Sequence, residues 1–310
     1  MQRVFVFPGQ GSHSVGMLAE LAAHDRAVID TFAESSAVLG YDLWQLVQQG
    51  PAEKLNETVH QQPAMLTADI ATWRCWRNAG GWQPDVVAGH SLGEFAALVA
   101  AGTLQFADAV RLVRERAERM QAAVPVGLGA IAAVLGLDDA AVASACSAAA
   151  QGEVVEPVNF NSPGQAVIAG HATAVQRALE ACRSAGARRA VLLPMSVPAH
   201  SSLMQPAADG FAASLRAAQM AAPAIAWWSP VDAQRHDAVE DIRALLIRQL
   251  VSPVRWTALV QALAAAGATT LVECGPGKVL AGLTRRIDKN LHSLALQDDA
   301  SIKAALASNE

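Results

Sequence analysis

What this chain lacks excludes several classes at once. It has no surplus of basic residues: 23 Lys and Arg stand against 28 Asp and Glu, a formal net charge of −5, which argues against a general nucleic-acid binder. It has no apolar run of about 18 residues, so no transmembrane helix is expected. The segment Val4-Phe5-Val6-Phe7, ahead of Pro8, is too short for a signal-peptide core, and a cytoplasmic location is expected. Its four cysteines, Cys75, Cys146, Cys182 and Cys274, are scattered, with no C-x-x-C and no nearby histidine partner. Reduced, buried thiols are expected, and no metal site. There are no internal repeats and no low-complexity linker beyond an alanine bias. Charged residues make up only 16% of the chain against 52% hydrophobic, the balance of a globular protein rather than a disordered one. With 310 residues there is chain enough for a sizeable core in one large domain or two.

What is present centres on Asp85-Val86-Val87-Ala88-Gly89-His90-Ser91-Leu92-Gly93-Glu94-Phe95-Ala96-Ala97-Leu98. A β-branched run enters G-x-S-x-G, and an apolar, alanine-rich segment of helical character leaves it. That strand–turn–helix setting is what a nucleophile elbow requires. Gly89 and Gly93 leave room for the turn and for close helix–strand packing. Ser91 would sit at the tip, and the N–H of Leu92, at the new helix's free end, would point where a tetrahedral oxyanion forms.

The remaining pattern alternates strands and helices. Residues 4–7 read as a buried strand and 8–12 as a glycine-rich turn. Helical spacing covers 27–39, 43–48, 64–79 and 106–124, with Pro51 and Pro63 interrupting the connection before the third. From about residue 126 the texture changes: strand 129–136, helix 138–150, strands 154–161 and 165–170, helix 172–185, strand 189–195. That β-α-β-β-α-β order is a ferredoxin-like unit. After Pro198 the α/β rhythm returns, with helices 201–218, 239–250 and 256–266, strands 224–228 and 270–273, and Gly275-Pro276-Gly277 opening a further helix. The expected fold is α/β: an α/β-hydrolase-like large domain with a mostly parallel sheet, formed by residues 1–125 and 198–310, and a small inserted ferredoxin-like domain at 126–197.

A serine nucleophile needs a base. Among the eight histidines, His90 lies in the elbow, with its side chain expected to point away from that of Ser91, and His24 and His60 sit in polar, solvated surroundings. His200 lies where a strand ends and a helix begins, the place where α/β sheets put their sites; position alone leaves it between a catalytic and a structural role. No Asp completes a triad. Asp209 and Asp232 are available, but neither has a supporting motif. Pro8-Gly9-Gln10-Gly11-Ser12 reads either as the second wall of an oxyanion hole or as an ordinary turn. Arg116 lies on the flank of its helix's apolar stripe, where it would want a carboxylate or phosphate partner, although periodicity hardly separates it from Arg114 and a solvated charge is the commoner fate of either. Gly275-Pro276-Gly277-Lys278 matches neither a P-loop nor G-x-G-x-x-G and reads as a turn into a helix, with a phosphate contact as the minority option.

Taken together and in order, these pieces resemble the malonyl-CoA:acyl-carrier-protein transacylases of bacterial fatty-acid synthesis. The likeness is carried by VFVFPGQGS at 4–12, QQPA at 61–64, AGHSLGEF at 88–95, ADAVRLVRERAERMQ at 107–121, PVNFNSPGQAVIAG at 157–170, SVPAH at 196–200, RQLVSPVRW at 248–256 and GPGKVLAGLTRRI at 275–287. It implies that Ser91 takes the malonyl group as an ester and that His200 is the general base. Gln10 and Leu92 become the oxyanion donors, Arg116 the clamp on the malonyl carboxylate, and Gln62 part of the same pocket. Gln249 becomes the residue whose backbone carbonyl orients the histidine in place of Asp. The resemblance implies malonyl-CoA as substrate rather than cofactor, an acyl carrier protein as partner, no nucleic-acid or membrane partner, and a monomer. A charge-assisted carboxylate–arginine pair is worth roughly 2–4 kcal/mol, a preference for malonyl over acetyl of roughly 30- to 1000-fold.

Three departures stand out: His13 where Gln is usual, Ala199 before the histidine where Ser is common, and Trp227-Trp228-Ser229-Pro230 where the family often has Asn-Asn. Arg188, Arg189, Lys278, Arg285 and Arg286 read either as a landing patch for an acidic carrier protein or coenzyme A phosphates, or as scattered surface charges. The competing readings are a serine hydrolase with the same elbow and a non-catalytic, carrier-binding scaffold. A carboxylate-binding arginine and the missing triad Asp speak against the first, and the Ser91, His200 and Arg116 set against the second.

Overall fold

The computed structural model describes residues 2–195 and 197–308, so Ser196 of the SVPAH segment and both ends of the expected large domain lie outside the described residues. Among the described residues, ten strands form two sheets: β1 Gln2–Phe7, β2 Val86–Gly89, β3 Gly129–Leu135, β4 Val155–Ser162, β5 Gln165–His171, β6 Arg189–Leu192, β7 Ala226–Ser229, β8 Gln234–His236, β9 Ala268–Cys274 and β10 His292–Leu296. The larger sheet has the order β10-β9-β1-β2-β7-β8. It is parallel except at β8, an antiparallel edge on β7. β1 is central and apolar on both faces. Val4 and Val6 enter a core with Trp256, Leu259 and Leu263, while Phe5 and Phe7 enter the larger core on the other side. A continuous apolar run is what a strand covered by helices on both faces requires.

The parallel register places Phe7 beside Gly89. The turns that follow β1 and β2 therefore emerge side by side at the carboxyl ends of neighbouring strands, the usual location for a site in an open α/β sheet.

The smaller sheet is antiparallel, with the order β4-β5-β3-β6. Helices Asp139–Ala150 and Ala172–Ser184 cover one face, with Val175 and Leu179 of the second helix packed in one core with Ala132, Val134 and Ile168 of the sheet. The other face carries Ile131, Val158, Val167 and Ala169, with Leu193 and Met195 against them.

The structure corrects the predicted elements at several points. Pro63 does not interrupt a connection: it lies inside one helix, Thr58–Asn78. The ring removes one backbone hydrogen bond, but the helix packs between Ala27–Leu39 and Phe106–Ala123 and is buried over Gln61–Thr72, so tertiary packing outweighs the local break. The stretch after Pro198 is a short 3-10 turn, Ser202–Met204, before the helix Gln205–Ala217. Helix Val239–Arg248 likewise tightens into a 3-10 turn at Gln249–Val251. Strands β8 and β10 and helix Asp299–Ala307 were not anticipated. Among the described residues, no helix is long and apolar enough to cross a membrane.

Candidate active site

Ser91 sits between β2 and helix Gly93–Ala100 with φ of 55°, a left-handed conformation that costs a side-chain-bearing residue about 1–3 kcal/mol and persists only where surrounding packing enforces it. The packing is visible in the flanking glycines. A Cβ on Gly89 would land on the backbone of Gly93, and a Cβ on Gly93 would land on the carbonyl oxygen of Phe7. The elbow thus rests directly on the end of β1.

His200 also has positive φ, 67°. Its Nε2 lies 2.7 Å from Ser91 Oγ, and its Nδ1 lies 2.7 Å from the backbone carbonyl oxygen of Gln249. With the proton on Nδ1 donated to that carbonyl, Nε2 is left to accept from the serine hydroxyl. Burial, reinforced by the Arg116 charge, pushes the His200 imidazole down to about 3 against the pull of the Gln249 carbonyl. It is therefore neutral near pH 7.

Arg116 is only 1% exposed, on helix Phe106–Ala123. Its Nη1 donates to Gln62 Oε1 at 2.6 Å, and its Nη2 to Gln249 Oε1 at 2.7 Å and to Ser91 Oγ at 3.3 Å. Among the described residues it makes no ion pair, and its buried Nε has no acceptor. Burial lowers its pKa to about 10, opposed by the charge of Glu94, so it remains a cation at neutral pH. A buried cation held by two neutral amides, with no ion pair among the described residues, has the chemistry to accept a carboxylate.

The other sequence-chosen residues fall around this centre. Gln62 is fully buried and reaches Met120 Sδ at 3.4 Å and Gln10 Oε1 at 3.5 Å. The Gln10 amide is turned to Gln61, whose Nε2 meets His13. Leu92 precedes helix Gly93–Ala100 with its side chain buried. A cleft of about 180 Å³ opens beside Ser91 and His200, its walls including Gln10, Ile131, Val167 and Leu280.

Some expectations for individual residues do not hold. His60 is not simply solvated: its Nδ1 meets the Tyr41 hydroxyl at 3.3 Å, and burial lowers its pKa. His90 Nε2 meets Asn161 Oδ1 at 2.9 Å, and both residues line the same cleft. Asp209 accepts from Gln205 and Asp232 contacts His236, so neither meets His200. Arg188, Arg189, Lys278, Arg285 and Arg286 are all exposed, with Arg286 donating to Gln165 at 2.8 Å.

Sequence reasoning missed Glu94, which is fully buried. Its Oε1 accepts from Gln249 Nε2 at 2.6 Å and its Oε2 from Ser229 Oγ at 3.0 Å. Burial raises its pKa to about 8, against those hydrogen bonds and the Arg116 charge. Its place inside the elbow motif was visible, but an acid in a first helical turn reads equally as a complement to the helix dipole.

Fold and site together define an acyltransferase. Residues 4–306 match the acyl transferase domain family. The chain is 56% identical over 305 residues to the malonyl CoA-acyl carrier protein transacylase of Salmonella typhimurium, covering 98% of this chain and 99% of that one. It is 43% identical over 303 residues to the enzyme of the same name from Bacillus subtilis, covering 97% and 95%. The crystal structure of an acyl carrier protein S-malonyltransferase from Vibrio cholerae superposes with a TM-score of 0.95 at 54% identity, covering 98% of this chain and 100% of that one. A malonyl-transacylase solved in complex with a type II PKS acyl-carrier protein superposes with a TM-score of 0.98 at 51% identity over the whole of both chains. This chain belongs to the malonyl CoA-acyl carrier protein transacylase family.

Proposed function

We propose that this protein moves the malonyl group from malonyl-CoA to the phosphopantetheine thiol of an acyl carrier protein in two half-reactions through an ester on Ser91. The observation that carries the reading is the meeting of three side chains at one atom. Ser91 Oγ lies 2.7 Å from His200 Nε2 and 3.3 Å from Arg116 Nη2. A nucleophile within reach of both a base and a buried cation that has no carboxylate partner among the described residues suits an acyl group that ends in a carboxylate.

In the loading step Ser91 Oγ attacks the thioester carbon as His200 Nε2 takes the hydroxyl proton. The oxyanion is held by the backbone N–H groups of Leu92 and Gln10. Collapse expels the coenzyme A thiolate, which takes the proton back from His200. In the second step the carrier thiol gives its proton to His200 and attacks the ester. Ser91 then leaves with that proton, and the thioester is restored. Arg116 pairs with the malonyl carboxylate throughout.

The Gln249 carbonyl supports transfer over hydrolysis. A neutral carbonyl orients His200 without stabilising the imidazolium as an Asp would, and burial beside Arg116 weakens the base further. Such a base is matched to the more acidic carrier thiol in the second half-reaction, while Ser91 gives up its proton only as its Oγ bonds to the thioester carbon.

The same reading divides the chain into an α/β-hydrolase-like domain, residues 1–125 and 198–310, and a ferredoxin-like insert, 126–197. The β4-β5-β3-β6 order and its β-α-β-β-α-β connection support the insert. The protein acts as a cytoplasmic monomer without metal or cofactor, and its exposed arginines and Lys278 receive the acidic carrier or the coenzyme A phosphates.

Intact-mass measurement after mixing with malonyl-CoA, acetyl-CoA and methylmalonyl-CoA is the test. A malonyl adduct that forms on the native chain, is absent from Ser91→Ala and passes to holo carrier protein supports the reading. Release of free malonate as fast as carrier loading would replace it with a hydrolase.

A further inference from the structure

Gln249 occupies an unusual position, because its main chain serves His200 while its side chain serves Arg116. Every polar atom of its amide is committed. Oε1 accepts from Arg116 Nη2 at 2.7 Å; Nε2 donates to the Ser91 carbonyl oxygen at 2.9 Å and to Glu94 Oε1 at 2.6 Å. Gln249, Arg116 and Glu94 are each at most 1% exposed, so none of these bonds has water as a substitute.

Glu94 is itself gripped from the other side. Ser229 Oγ, at the end of β7, donates to its Oε2 at 3.0 Å and accepts from the Val231 N–H at 3.2 Å. A chain of bonds therefore runs from β7 through Ser229, Glu94 and Gln249 to the guanidinium. We propose that Glu94 is a positioning residue for acyl-group selection, fixing the Gln249 amide so that Arg116 is held in reach of the carboxylate on the acyl group. The inference rests on the malonyl transfer proposed above and adds a residue that does not touch substrate.

Removing the acceptor leaves one amide hydrogen of Gln249 unpaired in a dry site. The side chain relieves that by turning, which takes its Oε1 off Arg116. The Gln249 carbonyl is held by the 3-10 turn Gln249–Val251, not by the amide, so the base is disturbed less than the clamp. The role does not require a charge on Glu94. Oε1 remains an acceptor if a proton sits on Oε2 and is donated to Ser229, so a glutamine can present the same carbonyl to Gln249.

The test measures kcat/KM for loading with malonyl-CoA and with acetyl-CoA, alongside thermal unfolding. Glu94→Leu lowers the malonyl-to-acetyl ratio by about tenfold, and Glu94→Gln restores it to within about threefold of the native value. In the Arg116→Ala background Glu94→Leu lowers the ratio no further, since it acts through Arg116. A parallel fall in both substrates, failure of Glu94→Gln to restore the ratio, or an additive double variant each overturns the proposal. Should Glu94→Leu fail to fold, Ser229→Ala decides: a ratio lowered about threefold supports it and an unchanged ratio overturns it. Malonyl loading by the native chain tests the underlying function separately.

Discussion

On the proposed function, selectivity turns on Arg116, which is buried at 1% exposure. A malonyl carboxylate gains a charge-assisted pair there, and an acetyl group gains nothing. Arg116→Ala is expected to lower the malonyl-to-acetyl ratio of kcat/KM by roughly 30- to 1000-fold, read in competition loading experiments; comparable ratios before and after would refute the assignment. His200 makes a second prediction at this scale. Its folded pKa, about 3, lies below the ordinary 6.5. Loading should keep its rate well below pH 6.5, with no acid limb at the usual histidine value. The unfolded chain takes up a proton near 6.5 that the folded chain refuses until about 3, so the unfolded state binds more protons in that window. His200 therefore contributes stability above the window that is lost as pH falls through it, and urea unfolding of native protein and His200→Gln should converge as pH drops. The two site residues differ in how far sequence revealed them. Ser91 was legible because the elbow is local chemistry, strand, turn and helix in one segment. Arg116 was not separable from Arg114 by spacing: Arg114 turns out half-exposed and paired with Glu118, and what buries Arg116 is a partner helix far away in sequence. Glu94 stayed hidden for the same reason, since its partners come from β7 and from the turn at Gln249.

At the scale of elements, the elbow depends on how closely helix Gly93–Ala100 approaches β1. Gly93→Ala puts a methyl group on the Phe7 carbonyl, which is backbone and cannot move aside. A destabilisation of roughly 3 kcal/mol or more is expected, with Ser91 acylation lost. Gly282→Ala is the matched control: it lies inside helix Val279–Ile287 with no heavy atom near its added Cβ, and it should stabilise by about 0.5–1 kcal/mol. Denaturant midpoints of the two variants should move in opposite directions; equal shifts would mean that the close approach at Gly93 is not what holds the turn. Elements were legible from sequence where periodicity was strong, as in helix Ala27–Leu39, and where turn chemistry was explicit, as at Ser162-Pro163-Gly164 between β4 and β5. Pro63 misled because local breaking is weaker than the packing of a helix buried on most sides. Short β8 escaped because three residues carry too little pattern, and β10, which opens with the exposed His292, alternates only weakly.

Over the whole molecule, the two sheets are joined where the chemistry is. β4 of the small sheet exchanges backbone hydrogen bonds with Val254, from Val254 N to Val158 O and from Phe160 N to Val254 O, both at 2.9 Å. It therefore flanks the segment that begins with Gln249, whose carbonyl holds His200. The same strand carries Asn161, bound to His90, and Glu156, whose carboxylate accepts from the Ser202 N–H at 2.7 Å and from its hydroxyl at 2.9 Å. Ser202 follows His200 closely, and His200 has a left-handed backbone that needs support from both sides. The small sheet thus braces the His200 segment through Glu156 and Ser202. Glu156→Ala removes both acceptors from Ser202 and should cost about 1 kcal/mol of stability, the bonds being partly exposed. Its larger effect should fall on kcat, about three- to tenfold for malonyl and acetyl loading alike, because Arg116 is hydrogen-bonded to Gln62, Gln249 and Ser91 and not to this brace. Amide exchange at residues 199–204 should quicken in the same variant. If exchange there stayed at the native rate while kcat fell, the loss would have to come from the cleft wall rather than from a loosened histidine, and the two sheets would be coupled in some other way.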